Sequence, residues 1–343
     1  MTKFLFYALR ILLLGSVCIV AYIALHFVPG SWSHGKPTNA STYARNLCAD
    51  NSTSPIGNHS ACHKNIFFIE TSSRTCLTLR QACAIESALF HNPDTSVTLL
   101  LLATSNVLRD FCPAVHALRQ APNFRIRVLH LDSFMADSPL SSWYRKGTWR
   151  KSRYKISHMS DALRFLVLWK YGGIYLDLDV VVKKSLARLP TCLGEEAPGR
   201  PVGGVMAFPP SHWFLTACLH DFAEDYRPQM WAHNGPGVIQ RIIKRRACNE
   251  SCSLEGSVRV VDDVVVLPPK SFYAVHWAYW KWFFDKSEAM HVKRLTEESY
   301  LVHMWNALSS TTIVKTGSGS PYDLEARQNC PRSYELMKRH GWF

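Results

Sequence analysis

Asp177 and Asp179 flank a single apolar residue, Leu178, in the run IYLDLDVVV from Ile174 to Val182. β-Branched and aromatic residues dominate this run, which predicts one strand. Alternate strand residues share a face, so both carboxylates point one way and Leu178 the other. Two like charges that close favour a cation between them. Hard oxygen ligands suit Mg2+ or Mn2+. A divalent ion held there can neutralise a departing diphosphate. An EF-hand is excluded: loop position six is Val182 rather than Gly, and Arg188 stands where the bidentate Glu belongs.

A D-x-D spacing is common by chance, so the elements that position it carry weight. Lys155 to Tyr171 is predicted as a helix, with Ile156, Met159, Ala162, Leu163, Leu166 and Trp169 as its apolar stripe. Gly172 falls where a left-handed C-cap is wanted. Asp161 and Arg164 are three apart on that helix and share a face. They read either as an ordinary helical ion pair or as binding groups. In the second reading, the carboxylate takes sugar or ribose hydroxyls and the guanidinium takes a hydroxyl or phosphate. His303 and Trp305 close a predicted strand, Ser299 to Trp305, near the C-terminus. Asn234-Gly235-Pro236-Gly237 is a turn opening a predicted helix, Val238 to Ala247; Pro and Gly explain it as a helix start.

The remaining elements predict an α/β fold. Ile66 to Ile69, Val97 to Ala103 and Phe124 to Leu131 are continuous apolar strands, separated by helical stretches. That pattern indicates a parallel sheet covered on both faces. Further strands are predicted at Gly203 to Phe208 and Val258 to Leu267, and helices at residues 76–90, at Ser211 to Tyr226 and from Tyr322 onward. In open α/β sheets, ligands gather outside the carboxyl ends of strands, where the two aspartates lie. The aromatic run Trp277, Tyr279, Trp280, Trp282, Phe283 and Phe284 reads chiefly as core plus a partly exposed helix. Stacking on sugars or contact with lipid is its rival reading.

The chain has 343 residues, 47% hydrophobic, with a formal net charge of +13. A sizeable core is affordable and global disorder is excluded. No zinc finger, basic heptad or aromatic-interleaved basic motif appears, which argues against nucleic acid. The basic balance is a solvated surface, or one suited to anionic substrates or an anionic membrane. Residues 11–28 form an uncharged apolar run, with Lys3 and Arg10 on its N-terminal side. This predicts a cytoplasmic tail (1–10), a signal anchor (11–28) and an extracytoplasmic remainder. The run is long for a cleaved signal peptide and no clear small-residue cleavage site follows. Residues 29–62 are polar and rich in Ser, Thr, Asn, Gly and Pro, as in a stem, and 63–343 form the body. Asn39, Asn51, Asn58 and Asn249 head N-glycosylation sequons. Of eleven cysteines, ten follow the anchor, an even number that fits disulfides in an oxidising compartment. Cys248 and Cys252 are a plausible local pair.

The stretch SDALRFLVLWKYGGIYLDLD, Ser160 to Asp179, resembles the signature of the DxD-containing α-1,4-glycosyltransferase family. NIFFIETSSRT, CAIESAL, SPLSSWYRKGTW, WAHNGPGVIQRIIKR, LPPKSFYAVHW and YLVHMWN resemble its other blocks in the right order, over Asn65 to about Cys330. The resemblance implies a GT-A fold, a type II Golgi membrane protein and a divalent cation, Mn2+ by preference. It implies that Asp179 binds the ion directly and that Asp177 reaches it through water or touches the ribose. Asp161 and Arg164 inherit contacts to the donor sugar and nucleotide, and Tyr175 matches an aromatic near the nucleotide. His303 becomes a candidate metal ligand or phosphate contact. Asn234, Gly235 and Trp305 become candidates for a donor or acceptor loop. The implied reaction is retaining transfer of galactose or N-acetylgalactosamine from a UDP-sugar to a glycosphingolipid in α-1,4 linkage. The alternatives are UDP-N-acetylglucosamine or GDP-mannose as donor for glycoprotein glycans, or a luminal sugar-binding protein without turnover.

Overall fold

A computed structural model describes residues 64–72, 74, 76–102, 112–247 and 259–343. The expected tail, anchor and stem, all four sequons, and Cys248 and Cys252 lie outside the described residues. No described helix is long and apolar enough to cross a membrane.

The first half alternates strand and helix: β1 (Asn65–Glu70), α1 (Leu79–His91), β2 (Ser96–Leu101), α2 (Pro113–Leu118), β3 (Phe124–Val128), α3 (Leu131–Met135), α4 (Ser141–Lys146) and α5 (Lys155–Tyr171). Then come β4 (Gly173–Leu176), β5 (Val180–Val182), β6 (Cys192–Ala197), β7 (Arg200–Phe208), α6 (Trp213–Glu224) and α7 (Pro236–Ala247). The chain ends with β8 (Arg259–Val261), β9 (Val264–Leu267), α8 (Pro269–Phe272), α9 (Ala289–Leu295), β10 (Leu301–His303), α10 (Asn306–Ser309), α11 (Pro321–Asn329) and α12 (Pro331–His340).

Among the described residues, eight strands form one sheet in the order β3-β2-β1-β4-β7-β6-β9-β8. The β3-β2-β1-β4 half is parallel, as expected. The other half is not: β7 runs antiparallel to both β4 and β6, and β8 antiparallel to β9. A short connection through Pro198-Gly199 joins β6 to β7, and a tight hairpin permits only antiparallel pairing. The sheet is therefore mixed, which corrects the all-parallel expectation. The predicted Val258 to Leu267 strand is itself a hairpin, β8–β9, turning at Asp262-Asp263.

Alternation along β1 shows why the sheet needs cover on both faces. Ile66 and Phe68 enter a cluster with Ala82, Ile85 and Leu89 of α1. Phe67 and Ile69 enter another with Leu163, Leu166 and Val167 of α5. Thr78 caps α1: its hydroxyl accepts from Gln81 N–H, and the Gln81 side chain accepts from Thr78 N–H. Ile156 departs from its expected place in the apolar stripe of α5; it is 50% exposed.

The C-terminal helices close over α1. The Cys83–Cys330 disulfide spans 247 positions, and Cys76–Cys112 ties the approach to α1 to that of α2. Glu86 of α1 accepts from the backbone N–H groups of Arg332 and Ser333 at the start of α12. Cys192 and Cys218 are buried free thiols, so the even cysteine count does not translate into complete pairing. The aromatic run folds as a 3-10 stretch, Trp277–Phe284, in which only Phe283 is buried. Trp282 and Phe284 pack partly buried against the C-terminal core, while Trp277 and Tyr279 are exposed, in keeping with core packing plus a partly exposed helix.

Candidate active site

β4 and β5 belong to different ladders. β4 pairs with β1 and β7, whereas β5 pairs antiparallel with β10. The chain leaves the main sheet after Leu176 and joins the second ladder at Val180. Asp177-Leu178-Asp179 is the turn between them, not the middle of one strand. The carboxylates converge because of this turn rather than strand alternation. The backbone fixes it: Asp177 N–H donates to Gly204 C=O (2.9 Å), and Met304 N–H donates to Asp179 C=O (2.7 Å).

Gly172 and Gly173 make the approach to β4 possible. Their φ values are +62° and +111°, a region that disfavours side chains. A Cβ at Gly173 would lie 2.6 Å from Asn65 C=O, and one at Gly172 would lie 2.6 Å from Pro210 Cδ. The predicted cap at Gly172 has the positive φ, but its ψ of 179° is extended rather than left-handed helical.

His303 ends β10 opposite Val180, and this register carries its ring to the turn. Its Nε2 lies 3.3 Å from Asp179 Oδ1 and 3.6 Å from Asp177 Oδ2. One ligand atom from each of the three residues lies within 4.8 Å of the others. Two carboxylates and an imidazole fit Mn2+ or a similar divalent ion, with open positions for substrate oxygens. Asp179 Oδ2 accepts from Asn306 N–H (2.7 Å). Trp305 N–H donates to His303 Nδ1 (3.2 Å), so the neutral ring carries its proton on Nε2, facing the carboxylates. Coordination through Nε2 requires that proton to leave and the Trp305 contact to loosen.

Burial raises the Asp179 carboxyl above its ordinary value; His303 opposes this and Asp177 adds to it. Burial would also raise Asp177, but Arg164 and His303 outweigh it and hold the group low. For His303, burial works against charge, yet Asp179 and Asp177 prevail and raise it.

Arg164 of α5 links the predicted helix pair to the turn. Its Nη2 lies 3.3 Å from Asp161 Oδ1 and 3.3 Å from Asp177 Oδ1. The same nitrogen donates to Ser160 Oγ, and Nη1 donates to Gly203 C=O (3.0 Å). The guanidinium lies 4.8 Å from the centre of the Tyr175 ring. Tyr175 is buried, and its hydroxyl donates to Asp177 Oδ1 (2.7 Å). Burial pushes the Asp161 carboxyl up to about 6, with Arg164 opposing. Arg164 and Tyr175 thus hold the aspartates in place, whatever else they touch.

Asn234 is buried, and its amide lies 3.2 Å from His158 Nε2 of α5 as well as bonding within its own loop. Its amide donates to the carbonyls of Arg227 (2.8 Å) and Met230 (3.1 Å), and its Oδ1 accepts from Arg227 N–H (2.8 Å). The next residue reaches the site. A Cβ at Gly235 would lie 2.4 Å from Asp161 Oδ2, so only glycine lets this loop approach the carboxylate. Trp305 is also near, its ring 4.5 Å from that of His303, with its indole N–H donating to Val275 C=O. Sequence reasoning missed Tyr273, whose ring centre is 5.5 Å from His303. It also missed Gly203 and Gly204, which face Arg164 and Asp177. Tyr273 lies within the block LPPKSFYAVHW, where nothing local marks its hydroxyl.

The D-L-D turn and the acid–arginine pair wired into it both lie inside a sequence region that marks glycosyltransferases of the DXD class. The family model described as "Glycosyltransferase sugar-binding region containing DXD motif" matches residues 78–197. A second, "Alpha 1,4-glycosyltransferase conserved region", matches residues 207–337. The chain belongs to the α-1,4-glycosyltransferase family. The lactosylceramide 4-alpha-galactosyltransferase of Mus musculus is 35% identical over 80% of this chain and 77% of that protein. The Homo sapiens protein of the same name is 34% identical, over 82% and 80%. The alpha-1,4-N-acetylglucosaminyltransferase of Homo sapiens is 29% identical, over 80% and 81%.

Proposed function

We propose that this glycosyltransferase moves galactose or N-acetylgalactosamine from a UDP-sugar to a glycosphingolipid or related glycan, in α-1,4 linkage and with retention. The observation that carries the reading is the joined cluster: Asp177, Asp179 and His303 on one side, Asp161 on the other, with Arg164 bonded across them. Identity to the lactosylceramide enzymes supports the acceptor class. A divalent cation held by Asp177, Asp179 and His303 would neutralise charge on the leaving diphosphate.

The chain's own groups do the rest. Asp161 accepts from donor-sugar hydroxyls, with Oδ2 the oxygen nearer the Gly235 loop. Arg164 and Tyr175 fix Asp177 so that it need not reorganise during reaction. Asp161, Asp177 and Asp179 are engaged in binding, and Glu196 is a further carboxylate whose charge acts on His303 and Tyr273. Attack proceeds on the same face, and a glycosyl adduct trapped on Glu196 would overturn it. The acceptor oxygen bonds to the anomeric carbon as the bond to UDP breaks, and the acceptor's proton passes to the leaving phosphate. The setting is the Golgi lumen, with residues 11–28 as a type II anchor.

The test is UDP-sugar hydrolysis and transfer by the full chain with and without Mn2+, against a panel of donors. Manganese-dependent turnover with UDP-galactose or UDP-N-acetylgalactosamine is expected. Turnover that survives Asp179→Ala would sink the cation assignment, and no turnover with any donor from folded protein would favour a binding protein.

A further inference from the structure

The hydroxyl of Tyr273 is buried and has no hydrogen-bond partner among the described residues. Leaving such a group unpaired is destabilising, a cost that a phenylalanine would avoid. The chain places phenylalanine at the preceding position, Phe272, yet keeps a hydroxyl here.

Its location is specific. Tyr273 follows α8, and its ring packs 5.5 Å from that of His303 and 5.7 Å from that of Trp305. Two glycines make room for it. A Cβ at Gly194 would lie 2.8 Å from Tyr273 Cε2. A Cβ at Gly204 would lie 2.8 Å from the Tyr273 hydroxyl, 2.9 Å from Asp177 Oδ2 and 3.5 Å from His303 Nε2. Hydroxyl, carboxylate and imidazole therefore converge on one point above Gly204.

The carboxylates show what is missing there. Asp177 Oδ1 accepts from Tyr175, and Asp179 Oδ2 accepts from Asn306 N–H. Asp179 Oδ1 has His303 Nε2 at 3.3 Å. Among the described residues, Asp177 Oδ2 has only the same nitrogen, at 3.6 Å, beyond ordinary hydrogen-bond reach. Once His303 turns a lone pair toward a cation, that contact is lost as well.

We propose that Tyr273 is a positioning residue of the cation site, its hydroxyl donating to Asp177 Oδ2 when the ion is bound. Tyr175 and Tyr273 then grip the two oxygens of one carboxylate. A phenol is neutral and able to donate at physiological pH. This rests on the reading that Asp177, Asp179 and His303 hold a divalent ion. Donors of this kind orient a ligating carboxylate, and their loss costs on the order of 10–100-fold in metal affinity.

The test is Mn2+ titration of the full chain in detergent, followed by the electron paramagnetic resonance signal of free Mn2+, for wild type and Tyr273→Phe. Metal-free thermal unfolding is measured alongside. The expected result is weaker Mn2+ binding by roughly 10–100-fold, with a metal-free melting temperature unchanged or raised because an unpaired hydroxyl is gone. Mn2+ affinity within about twofold of wild type, well under that range, would overturn the role of Tyr273 alone. Absence of Mn2+ binding by the wild type itself would instead overturn the cation site on which it depends.

Discussion

Asp179 ties the turn after β4 to the end of β10 and the start of α10. Its carboxylate faces His303 and accepts from Asn306 N–H, and its carbonyl accepts from Met304 N–H. Asp179→Asn keeps the shape and removes the charge. Transfer is expected to fall by on the order of a hundredfold or more, the scale of losing a main electrostatic group. Circular dichroism should stay the same; near-wild-type transfer by the variant would exclude a cation role. Asp161 makes a separate prediction. Its folded value of about 6 lies above the unfolded 3.8. The unfolded chain therefore gives up this proton first, and the group's contribution to stability is fully present below about pH 4. It is lost as pH rises toward 6 and constant beyond. The shift corresponds to about 3 kcal/mol. Urea unfolding of wild type and Asp161→Asn should diverge over that window, wild type losing more stability; a pH-independent difference would contradict the burial argument.

At the scale of elements, the turn between β4 and β5 is where sequence and structure part. The residues IYLDLDVVV carry the local pattern of one strand, but pairing with β7 on one side and β10 on the other splits it. Strand pairing is decided by distant partners, which no local window contains. The same holds for β6, whose Gly194, Glu195 and Glu196 lack a strand pattern. Asp161, Arg164, Asp177 and Asp179 were legible as a candidate constellation from residue type and spacing, whereas His303 was a candidate only through the family resemblance; the structure brings His303 and the two turn aspartates together. The Tyr273 hydroxyl and the Gly235 approach were not, since each matters only through a residue far along the chain. Helix α12 illustrates such long-range dependence. Its first N–H groups are satisfied by Glu86 of α1. Glu86→Ala strips that cap and should cost about 1–3 kcal/mol, measured as a lower urea midpoint without loss of secondary structure. An unchanged midpoint would mean that solvent satisfies these groups equally well.

On the scale of the whole molecule, the fold is closed by links between its beginning and its end. The Cys83–Cys330 disulfide joins α1 to the junction of α11 and α12. Cys83→Ser with Cys330→Ser is expected to lower stability by about 2–5 kcal/mol, read from denaturant unfolding under non-reducing conditions. Equal stability of the two proteins would show that helix packing alone holds the C-terminus. The same closure frames the active site, since β10 brings His303 to the aspartates from the chain's last third. The central claim is that this assembled site performs retaining α-1,4 transfer. The most direct measurement is NMR of the product formed by the full chain from UDP-galactose, UDP-N-acetylgalactosamine and a lactose-headed glycosphingolipid. A new α-anomeric sugar on the 4-hydroxyl of the terminal galactose is expected; a β anomer, or attachment at another hydroxyl, would contradict retaining α-1,4 transfer.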